Sequence, residues 1–179
     1  MSLQIGSDGP TGDQIDPGDV PTVGSTLELS KKEWRKRLTD EEFEILRNNG
    51  TEPAGSGDLL DEKREGIYYC AGCGAPVFSS RHKYGSKTGW PSFYRPYDPD
   101  RLGTKADTSL GMTRTEVHCA RCGGHLGHVF DDGPQPTGRR YCINSVALDL
   151  KPVSEIQSGS DQPDADQTGG DAGGASQER

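Results

Sequence analysis

The chain has 179 residues, of which 30% are hydrophobic, and its formal net charge is −8. The acidity lies at the ends, because residues 1–30 hold five acidic residues and no Lys or Arg, residues 154–179 hold six acidic residues and one Arg, and residues 31–153 hold 17 acidic and 19 basic residues. A central segment so close to neutral argues against a nucleic-acid binder, which usually needs clustered Lys and Arg, and no apolar run approaches the ~20 residues of a membrane span.

The two ends of the chain are predicted to be disordered. Residues 1–29 are rich in Gly, Asp, Pro and Thr, and residues 154–179 contain no aromatic side chain. Such segments bury too little apolar surface to offset chain entropy, so we predict one folded domain over residues 30–153 between two acidic tails. The N-terminus lacks the pattern of a secretory signal, which favours the cytoplasm, where thiols stay reduced. We expect a monomer.

Two short helices are predicted at the start of the domain. Each begins with a capping box, in which Ser or Thr is followed three residues later by Glu: Ser30 with Glu33, and Thr39 with Glu42. We expect the helices to join near Leu38 and the second to end at Asn49-Gly50.

From Ile67 onward the pattern is typical of short strands. Apolar or alternating runs occur at 67–69, 77–78, 115–118, 140–143 and 146–150, separated by Gly, Pro, Asp and Asn. Several short strands with frequent turns predict a mainly β domain with antiparallel pairing. Because its hydrophobic core would be modest, a metal ion that joins distant segments is physically reasonable.

Four of the five cysteines form two C-x2-C pairs, Cys70 with Cys73 and Cys119 with Cys122. Four thiolates can bind Zn²⁺ in a closed tetrahedral shell at about 2.3 Å. The 45 residues between the pairs exceed a compact zinc ribbon, so the metal would bridge two distant hairpins. With no coordination position left open, this zinc would be structural. Buried free cysteines and a redox C-x-x-C are the alternatives.

The fifth cysteine, Cys142, is the candidate nucleophile. It follows Arg139 and Arg140, and a nearby guanidinium favours the thiolate and lowers the thiol pKa. The same residue can equally be an inert core cysteine, and the two arginines can be a solvated pair.

His125 and His128 are candidate general acids if they approach Cys142. Asp131-Asp132 could orient an imidazole, and Asn144, two residues after Cys142, would project from the same strand face. A histidine pair at this spacing also occurs by chance or in a surface turn.

Trp90 stands beside Pro91 in Gly89-Trp90-Pro91-Ser92-Phe93-Tyr94. Its indole can fill the core with the N–H satisfied, or it can form a flat apolar wall for a methyl or thioether group.

Together these motifs resemble the methionine-R-sulfoxide reductases of type B. The resemblance covers about residues 31–150 and rests on six blocks in the family's order: Gly50-Thr51-Glu52-Pro53, Cys70-x-x-Cys73, Gly89–Phe93, Cys119-x-x-Cys122, Gly124–Pro134 and Arg140–Ser145. The blocks around the two histidines and around Cys142 are the most specific.

The resemblance implies a fold and a set of roles. The expected fold is two antiparallel sheets, a β-tent, with zinc away from the active site. Cys142 would be the nucleophile, and Arg140 would help hold its thiolate. The pocket for the substrate would be formed by Trp90 and Phe130, and the network around the sulfoxide oxygen by His125, His128, Asp132 and Asn144.

The implied reaction is thiol-dependent reduction of methionine-R-sulfoxide in oxidised proteins through a Cys142 sulfenic acid, a form of protein repair in oxidative stress. Many relatives carry a resolving cysteine where this chain has Thr88. With four cysteines on zinc no second thiol remains, so we expect an external reductant, thioredoxin or a small thiol.

Two other functions use the same scaffold. A non-enzymatic binding module could form an aromatic cage from Trp90, Phe93 and Tyr94, although a pure binder needs no nucleophile. A zinc-ribbon nucleic-acid module is disfavoured by the near-neutral centre of the chain.

Overall fold

The computed structural model describes residues 26–158. Three α-helices are present in this range: α1 (Lys31–Arg37), α2 (Asp40–Asn48) and α3 (Val153–Ser158). Both predicted capping boxes form, because the Ser30 and Thr39 side chains each accept the N3 amide while the N3 glutamate reaches back to the cap. The helices therefore begin where the sequence predicts, and α2 ends at Asn49 in the left-handed conformation.

Between residues 26 and 158, nine strands form two antiparallel sheets. Their bounds are β1 (Gly66–Cys70), β2 (Pro76–Ser79), β3 (Lys83–Tyr84), β4 (Ser92–Phe93), β5 (Leu102–Asp107), β6 (Arg114–Cys119), β7 (His125–Phe130), β8 (Arg140–Ile143) and β9 (Leu148–Pro152). The smaller sheet has the order β2-β1-β9, and the larger has the order β3-β4-β8-β7-β6-β5. The expected class, a mainly β fold with two antiparallel sheets and short N-terminal helices, is confirmed.

Aromatic side chains from the two sheets meet in the core. Phe78 on β2 stacks on Phe93 on β4 with ring centroids 4.4 Å apart, and Tyr68 on β1 meets the same ring edge-on at 5.1 Å. All three side chains are fully buried. Their contact places the small sheet against the β4–β8 side of the large one, so β8 is held at its back by the core.

The N-terminal helices pack on the same core. Phe43 and Leu46 of α2 and Leu38 between the helices are buried. The Arg47 guanidinium lies 4.1 Å from the ring centroid of Trp34 and donates a hydrogen bond to the Cys122 carbonyl. Helix α2 therefore contacts the turn that contains Cys119 and Cys122.

Several boundaries differ from the sequence prediction. Residues 145–147 form a 3₁₀ turn, so β9 begins only at Leu148. The strands β3, β4, β5 and β7 were not predicted, since they are very short or rich in Gly, His and charged residues. Helix α3 lies within the predicted C-terminal tail, and Leu27 of the predicted N-terminal tail donates its amide to the Arg121 carbonyl.

The predicted disorder of residues 1–25 and 159–179 lies outside the described residues. Between residues 26 and 158, no helix has the length and apolar character needed to cross a membrane.

Candidate active site

Cys142 lies on β8, an interior strand of the six-stranded sheet. Directly opposite it in the antiparallel register are Ser92 on β4 and His128 on β7. Opposite residues of adjacent strands place their side chains on the same face of a sheet. The thiol and the His128 imidazole therefore share one face, as a nucleophile and a proton donor must.

A cavity of about 110 Å³ opens on this face. Its lining consists of Thr51, Trp90, Arg114, Gly127, His128, Phe130, Cys142 and Asn144. Five of the side chains predicted to act on substrate therefore meet in one cavity, from three separate blocks of sequence. A larger cavity of about 490 Å³ shares Trp90, but no cysteine or histidine lines it.

Trp90 is half-buried, and its indole N–H donates to the Glu52 carbonyl at 3.1 Å. The hydrogen bond fixes the ring while one side stays open to the cavity. Of the two uses predicted for this tryptophan, the structure supports the wall over the core plug.

Cys142 is partly exposed, which argues against an inert core cysteine. Burial raises the pKa of its thiol, and the hydrogen bond with Thr88 and the positive charge of Arg140 offset this only in part. The net pKa of Cys142 therefore lies above its ordinary value. The guanidinium acts in the expected direction, but desolvation is the larger effect.

Thr88 belongs to a short chain of hydroxyl groups that ends at the thiol. Its Oγ1 lies 3.8 Å from the Cys142 Sγ and 2.8 Å from the Ser86 Oγ, which in turn lies 2.7 Å from the Ser92 Oγ. Ser92 donates to the Trp90 carbonyl at 3.2 Å. The residue that stands where many relatives have a resolving cysteine is thus in direct contact with the candidate nucleophile.

Asp132 does not orient an imidazole. Its two carboxylate oxygens accept hydrogen bonds from Arg140 Nε at 2.9 Å and Nη2 at 3.0 Å. The same guanidinium lies 4.4 Å from the ring centroid of Phe130, one of the cavity walls. Asp132, in the loop after β7, is therefore an anchor for Arg140 on β8.

The carboxylate on His128 is instead Asp107, at the end of β5. Its Oδ2 lies 2.7 Å from His128 Nε2 and 2.9 Å from Arg114 Nη2. No local pattern indicates this contact, since Asp107 and His128 are 21 residues apart and lie on strands separated by β6.

His125 lies beside His128 but does not line the cavity. Residues three apart on a regular strand point to opposite faces, yet the two rings have centroids 5.4 Å apart. The reason is an irregularity in the β6–β7 register, where Val117 pairs with Gly127 but His118 pairs with His125. The extra residue on β7 is a β-bulge that returns His125 to the face of His128.

His125 is almost completely buried, and this burial lowers the pKa of its imidazole. Its Nδ1 lies 3.3 Å from a carboxylate oxygen of Glu116, which is equally buried. The same carboxylate meets Lys105 at 3.2 Å and accepts from Asn49 at 3.2 Å. His125 therefore packs against the His128 ring without lining the cavity.

Asn144 follows β8 and is buried with both ends of its amide engaged. Its Nδ2 donates to the Leu126 carbonyl at 2.9 Å, and its Oδ1 accepts from the Glu52 amide at 3.1 Å. The Glu52 carboxylate in turn accepts from Ser145 and Val146 at the start of the 3₁₀ turn. Glu52 thus connects Trp90, Asn144 and the end of β8, a role that its place in the Gly50–Pro53 block did not reveal.

The four paired cysteines cluster between two turns and could hold a metal ion. Cys70 and Cys73 flank the turn after β1, and Cys119 and Cys122 flank the turn after β6. The Cys70–Cys122 and Cys73–Cys119 sulfur separations are 3.7 and 3.6 Å, and all four atoms lie within 4.8 Å of one another. Tetrahedral zinc with 2.3 Å bonds requires sulfurs roughly 3.8 Å apart. The buried quartet therefore fits a structural zinc.

The aromatic-cage alternative does not fit the structure. Phe93 is fully buried against Phe78, and Tyr94 meets His82 at 5.2 Å instead of Trp90. The three rings that would form the cage do not converge.

Comparison with known proteins places this arrangement in a family. The SelR domain matches residues 38–152, which include both sheets and the whole cavity lining. The peptide methionine sulfoxide reductase MsrB of Methanosarcina barkeri is 53% identical over 136 residues, covering 76% of this chain and 96% of that protein. The MsrB proteins of Leifsonia xyli and Leptospira interrogans are 54% and 55% identical over 127 and 119 residues, covering 70% and 66% of this chain and 91% of each relative. The chain belongs to the MsrB family, whose SelR domain it carries.

Proposed function

We propose that the protein is an oxidoreductase that reduces methionine-R-sulfoxide in proteins to methionine, with Cys142 as its nucleophile. The observation that carries this proposal is the pairing of Cys142 with His128 across two adjacent strands, in a cavity walled by Trp90 and Phe130. The printed names of the relatives, peptide methionine sulfoxide reductases, support the same reaction. Its cellular role would be repair of oxidised proteins.

In the first step the Cys142 thiolate attacks the sulfoxide sulfur while an imidazolium protonates the sulfoxide oxygen. The oxygen is transferred from the sulfoxide sulfur to the Cys142 sulfur, so the sulfoxide is reduced by two electrons to a thioether and the cysteine is oxidised to sulfenic acid. His128 is the better placed proton donor, because it lines the cavity, whereas His125 is buried behind it. His125 packs beside His128, with the Glu116 carboxylate next to its Nδ1, and would help to hold the His128 ring in place.

The pocket supplies the remaining interactions. The Trp90 and Phe130 rings give the substrate methyl group and thioether chain apolar surface. Arg140, held by Asp132, stabilises the Cys142 thiolate, and Asn144 fixes the turn that follows it. A site that fixes methyl group, oxygen and side chain in three directions accepts one epimer, and the family resemblance indicates the R form.

The second step needs a thiol from outside the chain. One thiol condenses with the sulfenic acid to give a mixed disulfide and water, and a second thiol releases Cys142 and a disulfide. Thioredoxin or a small thiol would serve, and a reducing cytoplasm would supply either. Thr88, in contact with Cys142, cannot form the internal disulfide available to a cysteine at its position.

The decisive experiment uses peptides with separated R and S sulfoxides and dithiothreitol as reductant. The wild-type protein should reduce only the R peptide, and Cys142→Ser should reduce neither while it keeps the wild-type melting temperature. Full activity in the Cys142→Ser variant, or a wild-type protein that reduces neither epimer, contradicts the proposal.

The fate of Cys142 is tested by mass spectrometry after one turnover without reductant. Trapping with dimedone should label Cys142 as a sulfenic acid. Thr88→Cys provides a matched control, because a thiol there should convert the same intermediate into a Thr88→Cys/Cys142 disulfide. An intramolecular disulfide in the wild-type protein would exclude direct reduction by an external thiol.

A further inference from the structure

We propose that Asp107 is a positioning residue for the reduction: it holds a proton on Nε2 of His128 and so directs Nδ1 to the sulfoxide oxygen. The inference rests on the proposed function and assigns a role to a residue that no sequence motif marked. It also specifies which nitrogen of the imidazole delivers the proton.

The geometry of the contact determines the direction of the hydrogen bond. Asp107 Oδ2 and His128 Nε2 are 2.7 Å apart, and an ionised carboxylate can only accept. Nε2 must therefore carry hydrogen. A neutral imidazole has a single N–H, so the neutral ring keeps Nδ1 free, and the imidazolium carries its second proton there.

Asp107 is itself held in place from two other directions. Its Oδ2 accepts from Arg114, which is its register partner on β6, and its Oδ1 accepts from the Ser109 amide at 2.9 Å. Hydrogen bonds from Ser109 and then from His128 hold the pKa of Asp107 well below its ordinary range. The carboxylate is therefore ionised wherever the enzyme would work.

Charged and titratable groups approach His128 from four strands. They are Asp107 on β5, Arg114 and Glu116 on β6, His125 on β7, and Arg140 and Cys142 on β8. Glu116 lies opposite His128 in the register, but its carboxylate contacts Lys105, Asn49 and His125. Within residues 26–158, Asp107 is therefore the carboxylate that contacts the His128 ring.

This arrangement suits a proton donor that must act repeatedly. When Nδ1 gives its proton to the sulfoxide oxygen, the Nε2 hydrogen bond to Asp107 persists, so the ring keeps its orientation and its tautomer. The next proton then returns to Nδ1 without a change of partner. The carboxylate also stabilises the imidazolium, as an orienting carboxylate does in other acid–base pairs.

The wild-type protein provides a direct test by nitrogen NMR of its imidazoles. At a pH at which His128 is neutral, its signals, assigned by comparison with His128→Gln, should be those of the tautomer protonated on Nε2. A ring protonated on Nδ1 overturns the inference. This measurement requires neither turnover nor an Asp107 variant that folds.

The kinetic test uses Asp107→Asn in single-turnover reduction of the R peptide. The rate at neutral pH should fall about 10- to 100-fold, less than the full contribution of a general acid. In nitrogen NMR of the same variant, the neutral His128 ring should no longer be held in the tautomer protonated on Nε2, because an amide can either accept from or donate to the ring. An unchanged rate with an unchanged tautomer overturns the inference, and so does a loss of rate with an unchanged tautomer, which indicates a purely structural role.

Asp98→Asn is the matched control. Asp98 accepts from the amide two residues ahead, at 2.9 Å, as Asp107 does in its own turn. Asp98 does not line the active-site cavity, so its variant should keep the wild-type rate and the wild-type imidazole signals of His128. A wild-type protein that reduces neither epimer refutes the proposed function, whereas an active protein with His128 protonated on Nδ1 refutes only the assignment of Asp107.

Discussion

At the scale of single residues, the pKa of Cys142 depends on its burial and on neighbouring groups that favour the thiolate. Burial raises the pKa of Cys142, while Thr88 and Arg140 act in the opposite direction. Each of these two groups is held by its own partner, Ser86 for Thr88 and Asp132 for Arg140. The thiolate is thus available at neutral pH only to the extent that these neighbours remain in place.

Replacing Thr88 tests whether its hydroxyl lowers the pKa of Cys142. In Thr88→Val the hydroxyl is lost, so the pKa of Cys142 should rise further, and alkylation of Cys142 at neutral pH should slow several-fold because only the thiolate reacts. The rate is measured against pH with iodoacetamide and mass spectrometry of the Cys142 peptide.

Thr88→Ser keeps the hydroxyl and should react like the wild-type protein. At a pH well above the pKa of every variant, the three rates should converge. A Thr88→Val protein with the wild-type pH dependence would show that the 3.8 Å contact does not affect ionisation.

At the scale of elements, the site depends on irregular backbone. The bulge in β7 brings His125 back to the face of His128. In the 3₁₀ turn after β8, the backbone amide of Ser145 donates to the carboxylate of Glu52. The Glu52 carbonyl also accepts a hydrogen bond from the Trp90 indole. Glu52 therefore connects the loop before β1 to the cavity wall and to the end of β8.

Glu52→Gln should therefore lower the free energy of unfolding by about 1–3 kcal/mol, since an amide NH₂ would face a backbone N–H in a buried position. Denaturant unfolding measures the difference. Glu65→Gln, at an exposed position before β1, is the control and should be neutral. Equal stability of the two variants would refute the capping role of Glu52.

At the scale of the whole molecule, the cysteine quartet joins the two sheets. Each pair lies at the end of a hairpin from a different sheet, and the guanidinium of Arg47 adds a link from α2 through the carbonyl and sulfur of Cys122. A metal bound there would tie a turn of the three-stranded sheet to a turn of the six-stranded sheet.

Cys119→Ser, or chelation of the metal, should lower the melting temperature by roughly 10 °C or more. Structural zinc contributes several kcal/mol to folding, and each kcal/mol is worth about 3 °C in a chain of this size. Differential scanning calorimetry measures the change. Cys142→Ser is the matched cysteine variant and should keep the wild-type melting temperature. A Cys119→Ser protein with unchanged stability would exclude a structural metal.

Local patterns predicted the parts of the fold that are determined locally. The capping boxes at Ser30 and Thr39 satisfy helix ends with residues three positions away, and the paired cysteines each belong to one tight turn. The strands β5 and β7 escaped prediction because their residues, such as Lys105 and Gly127, follow neither an apolar run nor a clear alternation.

The amino-acid sequence alone determined the family, and it predicted the division of the cysteines into four candidate metal ligands and one candidate nucleophile. These features follow from residue identity and short spacings. The partners of the charged groups were decided only in the tertiary structure: Asp132 with Arg140, Asp107 with His128, and Glu116 with His125. These contacts depend on the strand order and on one extra residue in β7. An ion pair between distant strands produces no periodic pattern in the sequence, so the sequence does not predict it.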